Sequence, residues 1–145
     1  MKSFVKYISI TVVLALLMAV PALAAEGRAM DASNYFSYTN AYLSKVSGTT
    51  FKICFHVTGT GTMDEIGASY IQVQESSNNS SWTPVASYYR SSYPNMITTY
   101  DSVYSDYVSY TGTTGKYYRA YVEFYAMDDT GSGYKSYTTS SIKVP

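Results

Sequence analysis

The sequence predicts an all-β domain, a seven-stranded antiparallel β-sandwich, and three observations lead there. Beyond residue 24 the chain is rich in Tyr, Thr, Ser and Val, whose branched and aromatic side chains suit a pleated, half-buried surface. Apolar and polar residues alternate there in short runs, with no sustained 3.6-residue period. Clusters of Gly, Asn, Asp and Ser separate the runs, as turns do in sandwiches and barrels.

The N-terminus reads differently. Lys2 and Lys6 precede an uncharged apolar run from Ile8 to Val20, followed by Pro21-Ala22-Leu23-Ala24-Ala25. A basic start, a short apolar stretch and an Ala-x-Ala site form the pattern of a secretory signal peptide. The apolar run is shorter than the roughly 20 residues that a membrane-spanning helix needs. The expected organisation is a signal peptide over 1–24, cut after Ala24, a flexible mature N-terminus over 25–33, and a β-sandwich over 34–145. The expected location is secreted and extracellular, with no membrane association of the mature form.

Removing Lys2 and Lys6 leaves eight basic residues against ten acidic ones. Such a balance gives no electrostatic reason to bind nucleic acid. Cys54 is the sole cysteine, which rules out an internal disulfide and any metal cluster built on several thiolates. No cofactor is expected.

The strands follow in order. The first runs from about Tyr35 to Lys45, and the second from Thr50 to Thr58, closed by Gly59-Thr60-Gly61. The third covers Ala68–Glu75, and Ser76-Ser77-Asn78-Asn79-Ser80 turns the chain into a fourth, Trp82–Tyr89. Arg90–Tyr100 reads as a crossing loop because Pro94 is unsuited to a central strand. A fifth strand lies near Ser102–Tyr110 and a sixth over Tyr117–Met127. The turn Asp128–Gly133 leads to the last, Tyr134–Val144. Alternation assigns Phe51, Ile53, Phe55 and Val57 to the core, with Lys52, Cys54, His56 and Thr58 facing water. Tyr118, Ala120, Val122, Phe124 and Ala126 form a second core row, joined by Ile71, Val73, Ile142 and Val144.

Gly115-Lys116-Tyr117-Tyr118-Arg119-Ala120-Tyr121-Val122 resembles the F-strand of immunoglobulin-like and fibronectin type III domains. In those domains a Tyr near the strand start bonds back to the preceding corner, and the resemblance gives Tyr118 that role. It departs from the immunoglobulin pattern in lacking a cysteine pair and in placing Trp82 after the third strand. Tyr42-Leu43-Ser44, Phe51–Val57, Met63–Ala68, Ile71–Glu75, Trp82, Tyr118-Arg119-Ala120 and Tyr137–Ser140 resemble, in order and spacing, a family of small secreted proteins of unknown function from Gram-positive bacteria. That resemblance implies a compartment and a bacterial source, and no chemistry.

Catalytic motifs are not evident, and the expectation is that the protein is not an enzyme. His56 is the sole histidine and sits mid-strand without a nucleophile elbow. Cys54 and His56 share a face but stand roughly 7 Å apart along one strand, too far for a thiol–imidazole pair. Asp64-Glu65 and Asp128-Asp129 lack the spacing of a calcium loop, and the second pair reads as turn chemistry. No metal site is expected.

Tyrosine is the distinctive feature, with 17 of the 18 lying after residue 24. Tyr117, Tyr121 and Tyr125 recur on the expected outer face of one strand, with Arg119 and Glu123 between them. Together with Trp82 and Tyr89 they are the candidate binding residues, since Tyr offers contact area and a hydroxyl at low entropy cost. The expected function is a secreted, non-catalytic binding or surface-interaction module, recognising a cell-wall glycan, a host glycan or a protein partner. A structural, self-associating extracellular matrix protein is the alternative, and a small hydrolase using Asp64, Glu65 or His56 is a further one. The sequence leaves the oligomeric state open.

Overall fold

The computed structural model describes Asn34–Pro145; the expected signal peptide, 1–24, and the 25–33 segment lie outside the described residues. Seven antiparallel strands form the fold: β1 (Phe36–Ser47), β2 (Thr50–Ser76), β3 (Thr83–Tyr89), β4 (Ile97–Thr111), β5 (Tyr117–Asp128), β6 (Gly131–Thr138) and β7 (Ile142–Lys143). A 3-10 turn, Pro94–Met96, precedes β4. The molecule is a β-sandwich of the immunoglobulin/fibronectin III-like kind.

The two layers share one strand. The first part of β2 lies between β1 and β4, pairing Cys54 with Tyr42 on one side and Tyr107 on the other. Its last part lies between β3 and β5, pairing Gln72 with Ser87 and Tyr121. β6 extends the second layer beyond β5, and β7 pairs the start of β5. The two inner faces meet in one core. Phe51, Ile53, Phe55 and Val57 are buried from the first layer, and Ile71, Val73, Tyr118, Ala120, Val122 and Phe124 from the second. The Phe51 and Tyr118 rings lie 5.2 Å apart across the interface.

Several expected boundaries differ. Gly59-Thr60-Gly61 does not end a strand: the expected second and third strands are one 27-residue β2. The Thr60 amide donates to the Tyr35 carbonyl, and its hydroxyl to that of Asn34. Those bonds hold the chain extended while the β4 ladder breaks between Thr58 and Met63. Met63 is buried there, so β2 turns a corner between layers where a strand end was expected. Gly67 lets β2 pass close to the 3-10 turn, because a Cβ at that position would run into the Met96 carbonyl oxygen.

The crossing loop is also shorter than expected. Pro94 opens the 3-10 turn, where its missing amide costs nothing, and β4 begins at Ile97. Tyr100 sits within β4 at φ 54°, a left-handed conformation that is uncommon for a bulky residue. The expected last strand is divided in two at Thr139. Its amide donates to the Ala120 carbonyl, and its Oγ1 accepts from the Ala120 amide. The side chain thus takes the place of a backbone carbonyl and interrupts the ladder.

The corner expectation matches its geometry, whereas the expected Asp128–Gly133 turn is tighter, because β6 starts at Gly131 opposite Asp128. The Tyr118 hydroxyl accepts from the Thr113 amide at 2.7 Å, five residues back, which is the tyrosine-corner bond. The Asp128 Oδ1 accepts from both the amide and the hydroxyl of Thr130, at 2.8 and 2.6 Å. The Thr130 hydroxyl, followed by its amide, holds the Asp128 carboxyl below its ordinary range.

Candidate functional site

The outer face of the second layer brings five of the six sequence-predicted residues together. Alternation in β5 puts Tyr117, Arg119 and Tyr121 on that face, all half-buried. β3 ends with Tyr89 opposite Tyr70, their rings 4.9 Å apart, and the Tyr70 ring lies 6.3 Å from that of Tyr121. Trp82 comes in just ahead of β3, where the Arg119 guanidinium packs over its ring at 4.5 Å. Cation and indole stabilise each other there by about 0.5–1 kcal/mol, the value for an exposed pair.

Tyr125 corrects the expected exposed ladder. It is only 6% exposed, because the Arg90 guanidinium caps its ring at 4.3 Å. Arg90 is itself fixed by a 2.8 Å ion pair with Glu65. Tyr134 of β6 packs against the other side of the group, 5.0 Å from the Tyr125 ring. β5 is flanked by β2 and β6, so its outward side chains have neighbours on both sides. Tyr125 is therefore part of the packing. Tyr89, at a sheet edge, is 53% exposed.

A row of hydrogen bonds crosses the centre of this face. Arg119 Nε donates to Gln74 Oε1 at 2.7 Å, and Gln74 Nε2 donates to Gln72 Oε1 at 2.9 Å. Gln72 Nε2 then donates to the Tyr70 hydroxyl at 2.9 Å, which is 3.0 Å from the Ser87 hydroxyl. Tyr70, Gln72, Gln74 and Ser87 were absent from the sequence-predicted site. The signal for the two glutamines was present in the alternation Ile71-Gln72-Val73-Gln74, which buries the aliphatic residues and leaves the amides outside. The cross-strand contacts at the two ends of the row, Arg119 on Gln74 and Ser87 on Tyr70, depend on register and were not readable.

Such a face offers aromatic rings beside a fixed row of amide, guanidinium and hydroxyl groups. Hydroxyl-rich rings and peptide groups both present the matching combination of apolar faces and polar edges.

The other candidate chemistry lies elsewhere. His56 Nδ1 is within hydrogen-bond reach of Ser105 Oγ at 2.5 Å, and its Nε2 is 3.3 Å from the Thr58 hydroxyl. Both ring nitrogens thus meet hydroxyls, and among the described residues no carboxylate orients the imidazole as in a triad. Asp64 and Glu65 occupy adjacent positions of β2, so their side chains leave opposite faces. Among the described residues no group of three or more His, Cys, Asp or Glu is placed to hold a metal ion.

No family model matches the chain, and no curated protein matches it. A solved structure of the Twitchin kinase region from C.elegans (Fn31-NL-kin-CRD-Ig26) aligns with 72% of this chain at 15% identity and a TM-score of 0.35. The chain spans 16% of that chain's length. The sandwich assignment rests on the strand pairing described above.

Proposed function

We propose that the domain is a secreted, non-catalytic recognition module that binds a glycan through the outer face of β3, β2 and β5. The observation that carries this reading is the hydrogen-bonded row Arg119–Gln74–Gln72–Tyr70–Ser87, flanked by Trp82, Tyr121, Tyr117 and Tyr89. Fixed donors and acceptors lower the entropy lost on binding, and aromatic rings supply the contact area. Secretion is supported by Lys2, Lys6, the Ile8–Val20 run and Ala22-Leu23-Ala24. The order-and-spacing resemblance to small secreted Gram-positive proteins supports a bacterial extracellular setting, and the glycan reading rests on the chemistry of the face.

The test is retention of residues 25–145 on insoluble cell-wall material and on mucin. Saturable retention that falls at least tenfold with Tyr121→Ala, with the fold intact by circular dichroism, is the expected outcome. Retention unchanged by Tyr121→Ala and by Trp82→Ala would remove this face from the mechanism. Retention by neither material, with capture by a protein partner that Tyr121→Ala abolishes, would replace the glycan reading with the protein-partner one.

A further inference from the structure

The outer face of the first layer carries a second aromatic concavity, of about 620 Å3. That volume is within the roughly 300–1,000 Å3 range of small-molecule sites. Tyr38, Asn40 and Tyr42 line it from β1, His56 from β2, and Ser105 and Tyr107 from β4. The register explains their convergence: Asn40 pairs with His56, and His56 with Ser105, so the three form one row across the sheet. Tyr42 and Tyr107 flank Cys54 in the next row, while Tyr38 packs its ring edge-on to His56 at 5.5 Å.

We propose that this concavity is a second glycan site, for a neutral sugar chain, on the side of the sandwich opposite the first. The inference rests on the reading of the domain as a glycan-binding module. Three phenol rings, each about half exposed, stand around a floor of amide, imidazole and hydroxyl groups. That arrangement suits a sugar, whose ring face is apolar and whose rim is hydroxylated.

The charges around the floor are already engaged, which favours a neutral ligand. Asp106 Oδ1 accepts from the Tyr107 amide at 2.8 Å, and its Oδ2 lies 3.3 Å from the Tyr104 hydroxyl, which donates to the Asn95 carbonyl at 2.6 Å. The Lys52 ammonium lies 3.6 Å above the Tyr107 ring. The floor is also pre-set, because Ser105 and Thr58 hold the imidazole from both ring nitrogens. With sites on both outer faces, one domain bridges two sugar chains and gains avidity on a polymer without any new contact.

The experiment is isothermal titration calorimetry of the protein recovered from expression of the full chain, with the neutral chitohexaose and cellohexaose as probes. The expected result is two sugars bound per chain. One remains in the Tyr38→Ala/Tyr107→Ala variant, and one remains in the Trp82→Ala/Tyr121→Ala variant. Ser105→Ala, a smaller change on an exposed strand, weakens one of the two sites at least tenfold and covers the case in which the double variant misfolds. One sugar per chain, lost in Trp82→Ala/Tyr121→Ala and untouched by Tyr38→Ala/Tyr107→Ala and Ser105→Ala, overturns this inference and leaves the proposed function standing. One sugar lost only with the Tyr38, Tyr107 and Ser105 changes supports this site and overturns the first. Binding of neither probe overturns both.

Discussion

The Tyr118 hydroxyl accepts from the Thr113 amide and donates to Glu75 Oε2, while its ring is fully buried against Phe51 and Tyr110. Tyr118→Phe keeps the ring and removes the oxygen, leaving the Thr113 amide and the Glu75 carboxylate short of a partner. The expected cost is about 1–3 kcal/mol of folding stability, read as a lower urea midpoint with an unchanged slope. A midpoint equal to wild type would mean that the corner is held by packing alone. Burial raises the phenol of Tyr118, as it does those of Tyr88, Tyr104 and Tyr110. A proton held more tightly in the folded state stabilises the fold below the unfolded-chain value of about 10. That contribution is lost as pH rises through the folded value. Stability therefore falls as pH rises above about 10, and urea titrations at pH 8 and pH 11 with equal midpoints would contradict it.

β4 is a sheet edge, and edges with free backbone groups invite strand addition. It contains neither Lys nor Pro after Ile97, yet its exposed side is covered by side chains. Asp101 Oδ1 accepts from the Ser102 and Val103 amides, and Asp106 Oδ1 accepts from that of Tyr107. The Tyr88 hydroxyl, reaching from β3, donates to the Ser109 carbonyl at 2.9 Å. Removing both carboxylates in Asp101→Ala/Asp106→Ala frees those amides, and the expected outcome is concentration-dependent association in sedimentation. A variant that sediments as wild type does at every concentration would show that the carboxylates do not guard the edge. β5 was the most legible element, because its strict alternation places Tyr118, Ala120, Val122, Phe124 and Ala126 in the core. β2 was the least legible. A Gly-Thr-Gly triplet is normally a stop, and only the contacts of Thr60 with the start of β1 show why the chain continues.

At the scale of the molecule, the two-layer plan and its core rows were readable because period-2 alternation depends on local sequence alone. The candidate site was readable only in part. Tyr117, Arg119 and Tyr121 follow from alternation in β5, whereas the exposure of each depends on which residues lie across the neighbouring strands. Arg90 and Glu65 cover Tyr125 from another part of the chain, and no local pattern announces them. The same limit hid the two ends of the hydrogen-bonded row, Arg119 on Gln74 and Ser87 on Tyr70, which meet only once β2, β3 and β5 are in register. Gln74, Gln72 and Tyr70, by contrast, share one face of β2.

Trp82 is the sole tryptophan and packs on Arg119 at the edge of the proposed site, so its fluorescence reports on that face alone. The most direct test is to follow its emission while adding soluble peptidoglycan tetrasaccharide and chitohexaose. A saturable change in emission, abolished by Tyr121→Ala with the fold retained, is the predicted result. Emission that stays constant while calorimetry records binding would place the ligand elsewhere and contradict the account.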